Sequence, residues 1–201
     1  MAKQVKIKST ETLSDNFFPL KLVKYEIENS KGEMEEVSRE VYMSSNGVVA
    51  LLYNLQKRTV VLIKQFRLPS YLNNNPTGIL LEACAGIVEE GEDPADGIMR
   101  EIEEETGYKV KQVEKIFEMY MTAGSVAEML YFFVAEYTPQ QKVAEGGGLE
   151  EESEDIEVIE LDFDEVFDKI KTGELKDAKT ALLLQYAKLN LFVEEKVFNV
   201  L

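Results

Sequence analysis

The sequence predicts an α+β fold, a mixed sheet sandwiched by helices, preceded by a small β-sheet region. Three observations predict it. Apolar, β-branched runs recur at short spacing through the first half of the chain, a single well-capped helix interrupts them, and a strongly apolar helical segment follows the last strands.

In chain order, "LKLVKYEIEN" and "MEEVSREVYM" flank the turn signal Ser30-Lys31-Gly32 and read as a hairpin. "GVVALLYN" and "TVVLIKQFR", joined through Asn54 to Arg58, read as a second. "GILLEACAGIV" reads as one strand buried on both faces, while residues 69–78 and 144–155 read as loops. "EKIFEMYM", "MLYFFVAEY" and "IEVIELDF" supply three more strands, and "DEVFDKIKTG" and "AKTALLLQYAKLNLF" two helices. Residues 1–44 are expected to form a small sheet of their own, a kind often completed by a partner subunit, and residues 45–201 the main domain.

Composition narrows the chemistry. The 201 residues are 45% hydrophobic, enough for a proper core, and no apolar run approaches the roughly 20 residues a membrane span needs. The opening "MAKQVKIKST" lacks the apolar segment of a secretory signal, so a cytoplasmic location is expected. The single cysteine, Cys84, sits in an apolar stretch and reads as a buried inert thiol. Histidine is absent, which excludes His triads, His-ligated zinc and a histidine base. The net charge of −16 argues against a nucleic-acid partner. That charge is local: Glu89 to Glu105 holds nine acids and one arginine, Glu150 to Glu165 ten acids and no base, and the rest of the chain sums to +2.

The first acidic segment is a helix of about residues 94 to 106. Asp93 suits the N-cap, Pro94 the first turn, Asp96 the dipole, and Thr106-Gly107 the C-terminus. With Glu101 at 0° on a helical wheel, Glu105 falls near 40° and Glu104 near 300°, while Glu103 points to about 200°. Ala95, Ile98, Met99 and Ile102 occupy the core arc. Like charges at this spacing repel unless a cation sits between them, and hard oxygen ligands suit Mg²⁺ or Mn²⁺. A solvated charge face is the alternative that helical geometry alone leaves open.

The flanks extend the pattern. Gly86-Ile87-Val88-Glu89-Glu90-Gly91-Glu92, seven residues, then Arg100-Glu101-Ile102-Glu103-Glu104-Glu105-Thr106-Gly107-Tyr108 resembles the Nudix box with every defined position filled. Only Tyr108 departs, standing where an aliphatic residue is usual. The resemblance implies a Nudix fold and hydrolysis of a nucleoside diphosphate linked to another moiety, with Mg²⁺ (or Mn²⁺). It makes Glu101 and Glu105 metal ligands, Glu104 a supporting carboxylate, the carbonyl of Ala85 a further ligand, and Arg100 the group that orients the acids. Glu89, Glu90 and Glu103 are expected to be solvated.

In the nucleotide-sugar and ADP-ribose branch that the resemblance points to, the base lies on a late loop, here "EGGGLEEESEDIEVIEL", in which three glycines are expected to give flexibility. Glu154 fits the base position best, with a place among the metal ligands; Glu150, Glu151 and Glu152 are rivals. "LSDNFF", "SREVY", "VVLIKQFR", "EACAG", "EMYM", "GGG" and "TGELKDAKT" look like the GDP-mannose pyrophosphatase group from about residue 12 to 192. That likeness implies a homodimer whose N-terminal parts exchange. It also implies that Arg39 and Arg67 bind the diphosphate and that Phe17 stacks on the base from the other subunit. Ser38, Glu40, Glu128 and Lys179 fall at sugar- or phosphate-contacting positions, and Ala85, Gly86, Ile87, Glu105, Ser153 and Glu154 line the same substrate. Ala123 stands where a proline is common, and Phe17 lacks a tyrosine hydroxyl, which puts selectivity for guanine over adenine in question. ADP-ribose hydrolysis and nucleotide binding without cleavage are the competing expectations.

Overall fold

Residues 4–149 and 154–193 are described by the computed structural model, and they divide into two units. The first comprises the chain up to Asn46 with Glu118–Leu130, and the second Gly47–Phe117 with the chain from Tyr131 onward.

The first unit holds an antiparallel sheet in the order β1 (Val5–Asp15), β2 (Pro19–Glu28), β3 (Met34–Tyr42). The β2–β3 hairpin is the one the sequence predicts. Its turn is closed by Asn29, whose Oδ1 accepts from the amides of Lys31 and Glu33, with Gly32 at a positive φ. Strand β1 has no counterpart in the sequence reading. It is polar and almost wholly exposed, with two register shifts, so it carries little alternation to find. No residue of β1, β2 or β3 is buried. The segment Glu118–Leu130 ties onto β3: the Tyr42 amide donates to Ser125 O, and the Ala127 amide to Tyr42 O.

In the second unit a mixed seven-stranded sheet is built on β4 (Gly47–Asn54) and β5 (Thr59–Phe66). The path runs β10 (Glu157–Asp162), β5, β4, β9 (Leu130–Glu136), β8 (Glu114–Met119). The predicted strand "GILLEACAGIV" is two strands: β6 (Ile79–Glu82) pairs with β5, and β7 (Cys84–Ile87) with β4. The break falls at Ala83, whose amide donates instead to Thr180 Oγ1 at 2.7 Å, freeing the chain to change partner. Nor is it buried throughout, since Ile79 and Ile87 are exposed. A short helix, α1 (Leu68–Leu72), overlaps the start of the predicted 69–78 loop.

Strand β4 explains the layers. Val48, Ala50 and Leu52 pack with Ile98 and Ile102 of the acidic helix. Val49 and Leu51, pointing the other way, are also fully buried, and α4 (Ala178–Asn190) contacts this strand. With α3 (Phe163–Thr172), α4 contributes Phe163, Val166, Leu183, Leu184 and Ala187 to the core. Among the described residues no helix is long and apolar enough to cross a membrane.

Candidate active site

The acidic helix begins as predicted. The Asp93 side chain accepts from the Ala95 amide at 2.8 Å, Pro94 follows, and α2 runs Pro94–Glu101. The sequence reading of one α-helix to residue 106 needs correction: Ile102–Thr106 forms a π turn, capped by Gly107 at φ 73°. Such turns insert a residue into the helical ladder and are frequent at functional sites. The core arc holds, with Ile98 and Ile102 fully buried and Ala95 and Met99 packed against the same cluster. Tyr108, the departure from the box, is buried and packs edge-on to Tyr137, so its ring is a core element.

Each glutamate has its own environment. Glu103 is the most exposed of the four and pairs with Lys109 at 3.0 Å. Glu101 and Glu104 share one cation: Arg100 Nη1 donates to Glu101 Oε1 at 2.9 Å and to Glu104 Oε2 at 3.0 Å. The same guanidinium reaches Glu92 through Nε at 3.3 Å, and its Nη2 donates to Ile87 O at 3.3 Å. Burial works against the Arg100 charge, but Glu92 and Glu101 outweigh it and hold its pKa above the ordinary value. Glu92 in turn accepts from the Glu89 amide, the chief cause of its lowered pKa, and Gly97 leaves it room.

Glu105 is 1% exposed, far more buried than a position on the edge of the helical wheel implies. Two neighbours bury it. Strand β7 supplies the Ala85 amide, which donates to Glu105 Oε2 at 3.1 Å, and the Cys84 thiol, which hydrogen-bonds the same carboxylate. The loop after β9 covers its backbone, with the Gly147 amide donating to Glu105 O at 2.9 Å and the Gly148 amide to Glu104 O at 3.3 Å. Burial pushes the Glu105 carboxyl up to about 8; the bonds from Cys84 and Ala85 pull it down, and Glu101 and Glu154 add to the rise. Burial likewise raises Glu101 to about 6, opposed by Arg100 and reinforced by Glu104 and Glu154. Gly86 permits the approach of Glu101, whose carboxyl a Cβ there would meet at 2.0 Å.

Glu154 therefore lies near enough to Glu101 and Glu105 to bias both. Its own Oε2 accepts from the Leu149 amide at 3.2 Å. The glycines before it need a different explanation from flexibility. Gly146, Gly147 and Gly148 all have positive φ, and a Cβ on Gly146 or Gly148 would lie 2.5 Å from Glu105 O or 2.3 Å from Glu154 Oε2. They let the loop lie against the π turn and against Glu154. Ser153 and the rival acids Glu150, Glu151 and Glu152 fall outside the described residues.

Two raised carboxyls, a third and fourth acid beside them, and a guanidinium bridging Glu101 and Glu104 make a set of hard oxygen donors short of positive charge. That chemistry fits a divalent cation. Among the described residues, no three acidic side chains stand close enough together to hold a metal ion between them.

The other substrate candidates separate by unit. Phe17, Ser38, Arg39, Glu40 and Glu128 belong to the first. Phe17 is 79% exposed and edge-packed on Phe18; Ser38, Arg39 and Glu40 are exposed on β3, with Arg39 Nη1 donating to Ser38 O; Glu128 is half-buried. Arg67, Ala85, Gly86, Ile87 and Lys179 belong to the second. There Arg67 and Lys179 meet on Glu82, a residue the sequence reading passed over. A charged residue inside a run read as buried must be paired, and that was the available signal. The contact of Cys84 with Glu105 had no such signal, because a thiol in an apolar strand looks the same whatever it faces.

Two family models match the chain in sequence. Residues 43–184 match the NUDIX domain, and residues 4–42 match the GDP-mannose pyrophosphatase NudK N-terminal domain. The chain is 45% identical over 194 residues to a GDP-mannose pyrophosphatase of Shigella dysenteriae serotype 1, covering 96% of this chain and 100% of that one. A protein of the same name from Escherichia coli O157:H7 shows the same identity and coverage. Another, from Escherichia coli O1:K1, is 46% identical over 94% of this chain and 98% of its own.

Proposed function

The chain belongs to the Nudix family, and from that premise we propose that it hydrolyses the pyrophosphate bond of GDP-mannose to GMP and mannose 1-phosphate, with Mg²⁺ as cofactor. The observation that carries the substrate is 45% identity across the whole length of relatives that bear that activity in their name. Mn²⁺ is the other cation these oxygen ligands suit.

In this reading Glu101, Glu104, Glu105, Glu154 and the Ala85 carbonyl hold the cation. When bound, it supplies the positive charge that lets an anionic diphosphate approach the acids, and it polarises the phosphorus. The chain's own residues do the rest. Arg100 keeps Glu101 and Glu104 at a fixed separation, and Cys84 and the Ala85 amide keep Glu105 facing the strand. With no histidine in the chain, a carboxylate must accept the proton of the attacking water, and Glu154 is the described acid outside the helix that acts on both Glu101 and Glu105. Arg67 and Arg39 bind the diphosphate, Lys179, Ser38, Glu40 and Glu128 contact sugar or phosphate, and Gly86, Ile87 and Ser153 line the substrate.

We also infer a homodimer exchanging residues 1–44, so that Phe17 stacks on the base held by the other subunit. Its support is the three-stranded sheet, which has no buried residue and leaves Val5, Ile7, Leu13, Phe17 and Met34 in solvent. A small sheet without a covered apolar face is marginal alone.

The test is incubation with Mg²⁺ and GDP-mannose, with ADP-ribose in parallel, and chromatography of the products. GMP and mannose 1-phosphate are expected, at a rate that Glu105→Gln lowers by at least about 100-fold, the scale of losing an electrostatic group at the reacting centre. Absence of GMP from the parent reaction rejects the assignment, and faster cleavage of ADP-ribose reassigns the substrate.

A further inference from the structure

Glu82 lies beneath two cations that come from different elements. Its side chain is 4% exposed, and it accepts from Arg67 Nε at 2.7 Å and from Lys179 Nζ at 3.4 Å. Arg67 stands at the N-cap of α1 and Lys179 in the first turn of α4. Both cationic side chains are partly exposed, at 38% and 24%, so the carboxylate is the buried member.

The arrangement closes on itself. Lys179 Nζ also donates to Asp177 Oδ1 at 2.6 Å; Asp177 Oδ2 accepts from the amide and hydroxyl of Thr180 at 2.8 and 2.7 Å. Thr180 Oγ1 accepts from the Ala83 amide, the neighbour of Glu82 in the chain. The circuit fixes where the two cations stand, and one buried carboxylate between them offsets their mutual repulsion. Lys179 has Asp177 as its nearer partner, whereas Arg67 has Glu82 alone. Among the described residues Arg67 engages only Nε, which leaves the Nη1 and Nη2 donors for a ligand. Glu82 is three residues from Ala85, at most about 11 Å along extended chain, so the strand path that carries Glu82 leads directly to the acids' neighbour Ala85.

We propose that Glu82 is a positioning residue for substrate: it holds Arg67 and Lys179 together as a preformed clamp for the diphosphate of a nucleotide ligand. The inference rests on the reading above, in which those two cations contact substrate. Without Glu82, Arg67 loses its partner and Lys179 is held by Asp177 alone, so the pair must be brought together at the moment of binding, a cost that falls on affinity. Binding lost equally from ground and transition states raises KM and leaves kcat.

The experiment measures GDP affinity by titration calorimetry with Mg²⁺ present, alongside kcat and KM for GDP-mannose. Glu82→Gln is expected to weaken GDP and raise KM about tenfold, the cost of ordering Arg67 and drawing Lys179 beside it, with kcat within about twofold of the parent. In a Lys179→Met background, where Glu82 keeps Arg67 as partner, the effect of Glu82→Gln is expected to be smaller by about threefold, because one of its two clients is gone. Unchanged GDP affinity in Glu82→Gln overturns the proposal, as does an equal effect in both backgrounds, which is the signature of a structural role. Should Glu82→Gln fail to fold by circular dichroism, Glu82→Asp reads the same cycle: it keeps the charge but is one methylene short of spanning both cations. The underlying reading fails differently, through Lys179→Met and Arg67→Lys that each bind GDP as the parent does.

Discussion

Glu105 is buried, lacks a cation of its own, and receives its hydrogen bonds from a thiol and a backbone amide. Its carboxyl, pushed up to about 8, binds a proton in the folded chain that the unfolded chain releases near its ordinary 4.5. Between those values the folded state holds more protons, so stability falls as pH rises through that window. Thermal melts in EDTA are therefore expected to give a higher Tm at pH 5 than at pH 8, with the slope reduced in Glu105→Gln; a Tm that climbs over that interval contradicts the burial of an unpaired acid. Glu154→Gln is expected to lower kcat by about 100-fold or more, the usual scale for removing a general base, while leaving the melt close to the parent's. Parent-like turnover would move the role to Glu150, Glu151 or Glu152. At this scale the box residues were legible because their types and spacing are constrained together. Glu82 and Cys84 were not, because their roles arise from partners distant in the chain: Lys179 is 97 residues from Glu82 and Glu105 is 21 from Cys84.

Among the elements, the box helix and the loop after β9 form a pair. Helix α2 was legible from its caps, and Asp93→Ala is expected to cost about 1 kcal/mol by denaturant melting, the ordinary value for an N-cap. The π turn was not legible, since residues 102–106 carry no sequence signal against continued α-helix; it is set by what packs on it. Gly148→Ala tests that packing. A Cβ there would meet Glu154, and φ is +80°, so the loop is expected to shift and kcat to fall at least about tenfold, a small misplacement of reacting groups being enough. Retained kcat would show that the loop's path does not position Glu154. The split of β6 from β7 at Ala83 escaped the sequence because an apolar run shows burial but not which neighbour it pairs with.

For the whole molecule, the fold class followed from the order of elements, while the composition of the first unit did not. Glu118–Leu130 joins β3 through backbone bonds at Tyr42, which leave no mark in side-chain pattern. The exposed apolar residues of β1–β3 predict that light scattering gives twice the monomer mass of 22.9 kDa, and that Val5→Lys with Ile7→Lys shifts the species toward monomer. A parent that stays monomeric at micromolar concentration removes the exchanged arm from the account. The bond from the Ala83 amide to Thr180 has a consequence in time as well as in space. A ribosome emits Arg67, Glu82 and the box helix long before it emits α4, yet the strand break at Ala83 is bonded to a hydroxyl of α4. The nascent protein therefore carries every box acid before it can make the bond that joins Ala83 to α4, which becomes available only once residue 180 has cleared the exit tunnel.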